Sequence, residues 1–302
     1  MKKSIFSILC AAVLAFTCLL GGCKSNFEVK DTLANGKGEK VKVILLAGQS
    51  NASGCSQDAY LQQKTSPEKY AEYQAGYDNI YINYYVSGAN ESKAFVKCGA
   101  KQGELNGHFG PELGMAEKLN ALYPNEKFFI IKYAWGGTDL FQQWLSPSSD
   151  GKTGDLYNAF IEYVKVSMRY LRRKNYDAEI VGMCWMQGES DSFSVEHGTQ
   201  YEVHLTNFIN DMRKDLAKYG REIPFVDAYI ADNPIYWVYC DLVNESKRKV
   251  NETVSRTALV DTIAQGLTCS EEPADNPDLA HYDSLSQLKL GNLFIEELVK
   301  FF

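Results

Sequence analysis

Five short apolar runs punctuate the chain: Val41 to Ala47, Phe128 to Ala134, Ile180 to Met186, Phe225 to Ile230 and Ala258 to Ile263. They are mostly apolar rather than alternating, with single charged residues at Lys42, Lys132, Asp227 and Asp261, which is the pattern of strands covered on both faces. Asn79 to Val86, richer in tyrosine, reads as a further strand. Between these runs, apolar residues recur every three or four positions. Pro111 to Leu122 sets Leu113, Met115, Ala116 and Leu119 on adjacent turns, behind a proline suited to a first helical turn. Asp155 to Lys174, Glu196 to Tyr219, Asp241 to Ser255 and Ser284 to Phe301 carry the same period. Strands alternating with helices imply parallel pairing through right-handed crossovers. The predicted class is therefore α/β, a three-layer α/β/α sandwich with a mostly parallel sheet. With no internal repeat and no interior linker, one domain from Val41 to Phe302 is the simplest account.

Composition narrows the partners. The 302 residues are 45% hydrophobic, enough for a sizeable core, and carry a net charge of -7. That sign argues against nucleic acid or an anionic membrane surface as the main partner. The 19 tyrosines offer flat apolar faces with polar edges, which suit sugars as well as cores. Trp144, Tyr236 and Trp237 are candidates for stacking on a sugar, and equally for burial.

The first residues read as an export signal. Lys2 and Lys3 precede an apolar stretch from Ile5 to Leu20, closed by Leu20-Gly21-Gly22-Cys23. This ending resembles a bacterial lipobox, which implies a signal peptide over residues 1–22 and a lipid on Cys23. Residues 23–40, polar and glycine-containing from Lys24 to Glu39, then read as a tether. The expected location is the bacterial cell envelope, with the lipid as the sole link to the membrane. Cys55, Cys98, Cys184, Cys240 and Cys269 remain in the mature chain. Their number is odd, so at least one stays free or pairs with another chain. No C-x-x-C pair exists, which argues against structural zinc.

The loops after the strands hold the candidate chemistry. Gly48-Gln49-Ser50-Asn51 follows the first run, and the glycine permits a sharp turn that leaves the Ser50 hydroxyl at the carboxyl edge of the sheet. Trp135-Gly136-Gly137-Thr138 follows the second run, and Gln187-Gly188-Glu189-Ser190-Asp191 follows the third. Asp278-Leu279-Ala280-His281 lies just ahead of the final helix. Each alone is weak; their shared edge is the argument. A serine nucleophile needs a base, an acid to orient that base, and donors for an oxyanion. His281 is the candidate base. The D-x-x-H spacing lets Asp278 accept from Nδ1 and leaves Nε2 for Ser50. Asp275 and Asp283 are the spare acids. The oxyanion donors are the Ser50 N–H, a glycine N–H from Gly136 or Gly137, and the side-chain amide of Gln187. Glu189 fits a structural role better than that of a second acid. The chemistry requires neither a metal nor an organic cofactor.

Taken together, Gly48-Gln49-Ser50-Asn51, Gly110-Pro111-Glu112, Trp135-Gly136-Gly137-Thr138-Asp139-Leu140, Trp185-Met186-Gln187-Gly188-Glu189-Ser190-Asp191 and Asp278-x-x-His281 resemble the SGNH hydrolase superfamily. More narrowly, they are similar to its sialate O-acetylesterase-like branch, carbohydrate esterase family six. The resemblance runs from about Val41 to the C-terminus. It implies a flavodoxin-like sandwich, with Ser50 as nucleophile, His281 as base and Asp278 as acid. Gln187 stands where the superfamily has an oxyanion asparagine. The implied activity is removal of O-acetyl groups from carbohydrates, on acetylated xylan-type glycans or O-acetylated sialic acids. Two other readings are a lipase or thioesterase of the same superfamily, which would prefer long acyl chains, and a glycan-binding lipoprotein without catalysis. A complete set of Ser50, His281, Asp278 and Gln187 argues against the last.

Overall fold

The computed structural model describes residues 27–302. The segment expected to be a signal peptide, residues 1–22, and Cys23 lie outside the described residues. In chain order the strands are β1 (Lys40–Gly48), β2 (Ser56–Gln57), β3 (Tyr77–Val86), β4 (Asn90–Glu91), β5 (Val96–Cys98), β6 (His108–Phe109), β7 (Phe128–Ala134), β8 (Asp177–Met186), β9 (Phe225–Ala228) and β10 (Thr257–Val260). The helices are α1 (Ser50–Ser53), α2 (Asp58–Lys64), α3 (Pro67–Ala75), α4 (Glu112–Leu122), α5 (Asp155–Arg173), α6 (Val195–Asp215), α7 (Cys240–Thr253) and α8 (Ser284–Leu298). An eight-stranded sheet runs β10-β9-β8-β1-β7-β3-β4, with β5 also paired to β3. The pairs from β10 across to β3 are parallel, and β4 and β5 add antiparallel edges.

The mostly apolar runs have the predicted cause. β1 lies between β7 and β8, every residue of β7 is buried, and helices cover both faces. On one face α4 packs against α8, and Leu298 of α8 lies over Gly182 of β8. On the other, Trp185 of β8 meets Phe208 of α6 with ring centroids 4.6 Å apart, and Phe160 of α5 stacks on the same Phe208. The result is the expected three-layer α/β/α sandwich. α2 and α3 were not legible as amphipathic helices, although Ser66 caps α3 and Pro67 opens it.

The tether reading needs correction for residues 27–39. Val29 and Leu33 are buried, and Phe27 packs edge-on against Tyr85 and Tyr163 at 5.4 and 5.1 Å between centroids. The backbone N–H groups of Thr32 and Leu33 both donate to the Tyr170 hydroxyl at 3.1 Å. Lys30 N donates to Lys93 O, and Gly36 N to Lys174 O. Polar composition hid three apolar side chains, and these dock the segment against the folded body. None of the described helices is long and apolar enough to cross a membrane.

One buried ion pair fixes the approach to the site. Lys132 of β7 and Glu112 at the start of α4 meet at 2.7 Å, both side chains fully buried. Lys132 also donates to Gln102 O at 3.0 Å, and Glu112 accepts from Gly110 N at 2.8 Å. The pair thereby ties the loop from Gln102 to Gly110 onto the sheet. Lys132→Ala leaves a buried carboxylate uncompensated, so urea denaturation should show a loss of about 3–5 kcal/mol. The double variant Lys132→Met with Glu112→Gln should lose less than the sum of its single changes.

Candidate active site

The loops that follow β1, β7 and β8 converge at the carboxyl edge of the sheet, on either side of the central strand. Gly48 makes the turn. Its φ is +140°, and a Cβ there would lie 1.9 Å from the carbonyl oxygen of Met186. No L side chain fits that approach. The chain then enters the four-residue helix α1, of which half-buried Ser50 is the first residue.

Asn51 joins the two ends of the sequence. Its Nδ2 donates to Ala280 O at 3.3 Å, and its Oδ1 accepts from Tyr282 N at 3.0 Å. Those are the two neighbours of His281. Two further bonds strengthen the link: Ser56 Oγ donates to Tyr282 O at 2.6 Å, and Gln287 Nε2 to Asn51 O at 2.8 Å. The residue beside Ser50 thus clamps the loop that carries the imidazole.

His281 Nδ1 and Asp278 Oδ2 are 2.7 Å apart. Asp278 Oδ1 also accepts from Ala280 N, which holds the carboxylate in place. Burial works against the charged imidazole, but the hydrogen bonds of Asp278 and Cys55 and the charge of Asp278 outweigh it, so the His281 pKa is raised. Burial likewise opposes the Asp278 charge, and the imidazole more than offsets it, holding the carboxyl below its usual range. Of the spare acids, Asp283 is engaged elsewhere, accepting from Glu271 N and Glu272 N.

Gln187 departs from its expected place as an oxyanion donor. It is fully buried, and its Nε2 donates to Asp191 Oδ2 at 2.6 Å, Thr138 O at 3.0 Å and Gln49 Oε1 at 3.2 Å. Its Oε1 accepts from the Tyr201 hydroxyl at 2.9 Å. An amide has two N–H groups, and both are taken by protein acceptors. Gln187 therefore pins the three loops together and has no hydrogen left for a substrate. Gln49 shares this work: its Oε1 also accepts from Gly188 N and Ser190 N.

The two glycines separate cleanly. Gly136 N donates to Ser87 Oγ at 3.0 Å. Gly137 adopts φ +68°, has open space where a Cβ would stand, and its N–H meets no acceptor among the described residues. Ser50 N is likewise unpartnered among the described residues. Glu189 sits where the structural reading expects it. It is buried and accepts from Asn51 Nδ2 at 2.7 Å, and burial raises its pKa against that bond.

Asp139, Asp191 and His197 bring potential ligand atoms within 4.8 Å of one another. Both carboxylates already act as loop clips. Asp191 accepts from Leu140 N, Phe141 N and Gln187, and Asp139 from Gln142 N. Burial pushes Asp191 up to about 7 despite those bonds. Trp144 is fully buried with its Nε1 on Thr138 Oγ1, so it belongs to the core rather than to a sugar platform.

Two neighbours of the site were not found in the sequence. The Cys55 thiol lies 3.7 Å from Ser50 O and 3.6 Å from Glu104 Oε2, and it interacts with His281. Burial pushes that thiol up, so it stays protonated near neutral pH. Glu104 sits in a stretch with no periodicity, and nothing in its local sequence marks it. The five cysteines from Cys55 onward are all free.

A protein from Arabidopsis thaliana of known structure is similar over 86% of this chain and 98% of its own, at TM-score 0.62 and 19% identity. NanS is similar over 88% of this chain and 98% of its own, at TM-score 0.64 and 16% identity. A carbohydrate acetylesterase from Xanthomonas citri is similar over 87% of this chain and 56% of its own, at TM-score 0.57 and 15% identity. At those identities the likeness concerns the fold. No curated protein matches the chain. The family described as carbohydrate esterase, sialic acid-specific acetylesterase (SASA), matches residues 40–300. With nearly all of the described chain inside that match, the protein belongs to this carbohydrate esterase family and is a carbohydrate O-acetylesterase.

Proposed function

We propose that the protein is an exported, lipid-anchored serine esterase that removes acetyl groups from sugar hydroxyls through an acyl-enzyme. The observation that carries this reading is the clamp of Asn51 onto both neighbours of His281, which sets the imidazole beside the Ser50 loop. His281 takes the Ser50 proton as Oγ attacks the acetyl carbonyl, and Asp278 holds the tautomer that leaves Nε2 free to do so. The N–H groups of Ser50 and Gly137 receive the developing oxyanion, while Gln187 and Gln49 hold their loops at the required spacing. His281 then protonates the departing sugar oxygen. Water, deprotonated by the same imidazole, releases acetate and restores Ser50.

Export rests on the charged start, the apolar stretch and the small residues before Cys23. Acetylated xylan-type glycans and O-acetylated sialic acids are the substrates to compare. The test is acetate release from O-acetylated xylo-oligosaccharides and from O-acetylated sialic acid, beside p-nitrophenyl esters of increasing chain length. The reading expects release from at least one acetylated sugar and a decline beyond two-carbon acyl groups. A preference for long chains, with no acetate from either sugar, would mark a lipase-like enzyme instead.

A further inference from the structure

A cavity of about 460 Å³ opens beside the catalytic loops, lined by Tyr84, Asn90, Lys101, Glu104, Leu105 and Asn106. Glu104 belongs to both the cavity and the site. Its Oε2 lies 3.6 Å from the Cys55 thiol, on the Ser50 and His281 side. The same oxygen would lie 2.9 Å from a Cβ on Gly136, on the side that leads to Gly137. Its backbone N–H donates to Gly54 O at 2.8 Å, which fixes it to the end of the nucleophile turn. Asn90 is anchored in turn, with its Nδ2 on Gly103 O at 2.9 Å.

This carboxylate is short of partners. It is half-buried, forms no ion pair among the described residues, and its one donor there is a weakly donating thiol. An ionised carboxylate offers about four lone-pair sites. A ligand with hydroxyl groups would satisfy those sites, whereas a second anion there would be repelled. Nearby Lys101, Asn90 and Asn106 add further polar groups to the walls.

We propose that this cavity is the subsite for the sugar that leaves, and that Glu104 accepts a hydrogen bond from a free hydroxyl adjacent to the acetylated one. The inference rests on the acetylesterase reading and deepens it. The enzyme then acts preferentially on partly deacetylated sugars whose vicinal hydroxyl is uncovered. A hydrogen bond from hydroxyl to charged carboxylate corresponds to roughly ten- to a hundredfold in kcat/KM.

The test compares a mono-O-acetylated methyl xyloside with the fully acetylated methyl xyloside, which has no free hydroxyl. Wild-type protein should favour the monoacetate at least tenfold in kcat/KM, and Glu104→Gln, whose amide oxygen accepts only a neutral hydrogen bond, should cut that ratio several-fold. Leu105→Trp, at an exposed position of the cavity wall, should raise KM for the monoacetate more than for p-nitrophenyl acetate. Equal rates on the two xylosides in the wild type, or an unaltered preference in Glu104→Gln, would overturn the subsite. So would equal losses on both xylosides in Glu104→Gln, which would make Glu104 a positioning residue for His281. A wild-type enzyme inactive on every acetyl ester would instead refute the esterase reading beneath it.

Discussion

Ser50→Ala should lower turnover of any acetyl ester on the order of 10⁴- to 10⁶-fold. The oxygen that forms the acyl-enzyme disappears, and nothing nearby replaces it. The Cys55 thiol is the nearest alternative, yet burial holds it protonated and it faces Glu104. Stability should hardly change, because Ser50 is half-buried and its hydroxyl makes no hydrogen bond among the described residues. The measurement pairs initial rates on p-nitrophenyl acetate with thermal unfolding of both proteins. A variant that keeps a tenth of the wild-type rate would remove Ser50 from the mechanism.

Asp278→Asn should cost about 10⁴-fold in kcat, by allowing the imidazole its other tautomer. It should also move the pH profile. Catalysis uses neutral His281, so activity is gained as pH rises through the imidazole's raised pKa. In the wild type the acid limb of kcat/KM should therefore lie above the ordinary histidine value of about 6.5. Without the Asp278 charge, burial acts with less opposition, and the limb should fall. The stability linkage has the matching sign. A raised His281 stabilises the fold below its unfolded pKa, and that contribution is lost as pH rises through the folded value. The depressed Asp278 contributes above its unfolded value, and that part is lost as pH falls through the folded one. An acid limb that stays fixed in the variant would show that another group controls the profile.

Much of this was readable in the chain. The strands were legible because the sheet is covered on both faces, so each leaves a mostly apolar run such as Ile180 to Met186. The gathering of the Ser50 turn with the Asp278–His281 loop was legible because loops after parallel strands emerge at one edge whatever the strand order. That order was not legible, since neighbours such as β1 and β8 are chosen by packing far along the chain. Gln187 was misread for a related reason. A side-chain amide between two polar loops can face substrate or protein, and only the positions of Asp191, Thr138 and Gln49 decide which. Glu104 carries no local signal because its significance comes from Cys55 and Gly136, which reach it through the fold.

The docking of residues 27–39 has a consequence for the whole enzyme at a bilayer. If Cys23 carries the proposed lipid, only Lys24, Ser25 and Asn26 separate it from the packed ring of Phe27. Even fully drawn out, that stretch spans no more than about 14 Å. The enzyme is then moored on a short leash rather than ranging freely above the surface. Polymers would have to come to the membrane to be trimmed.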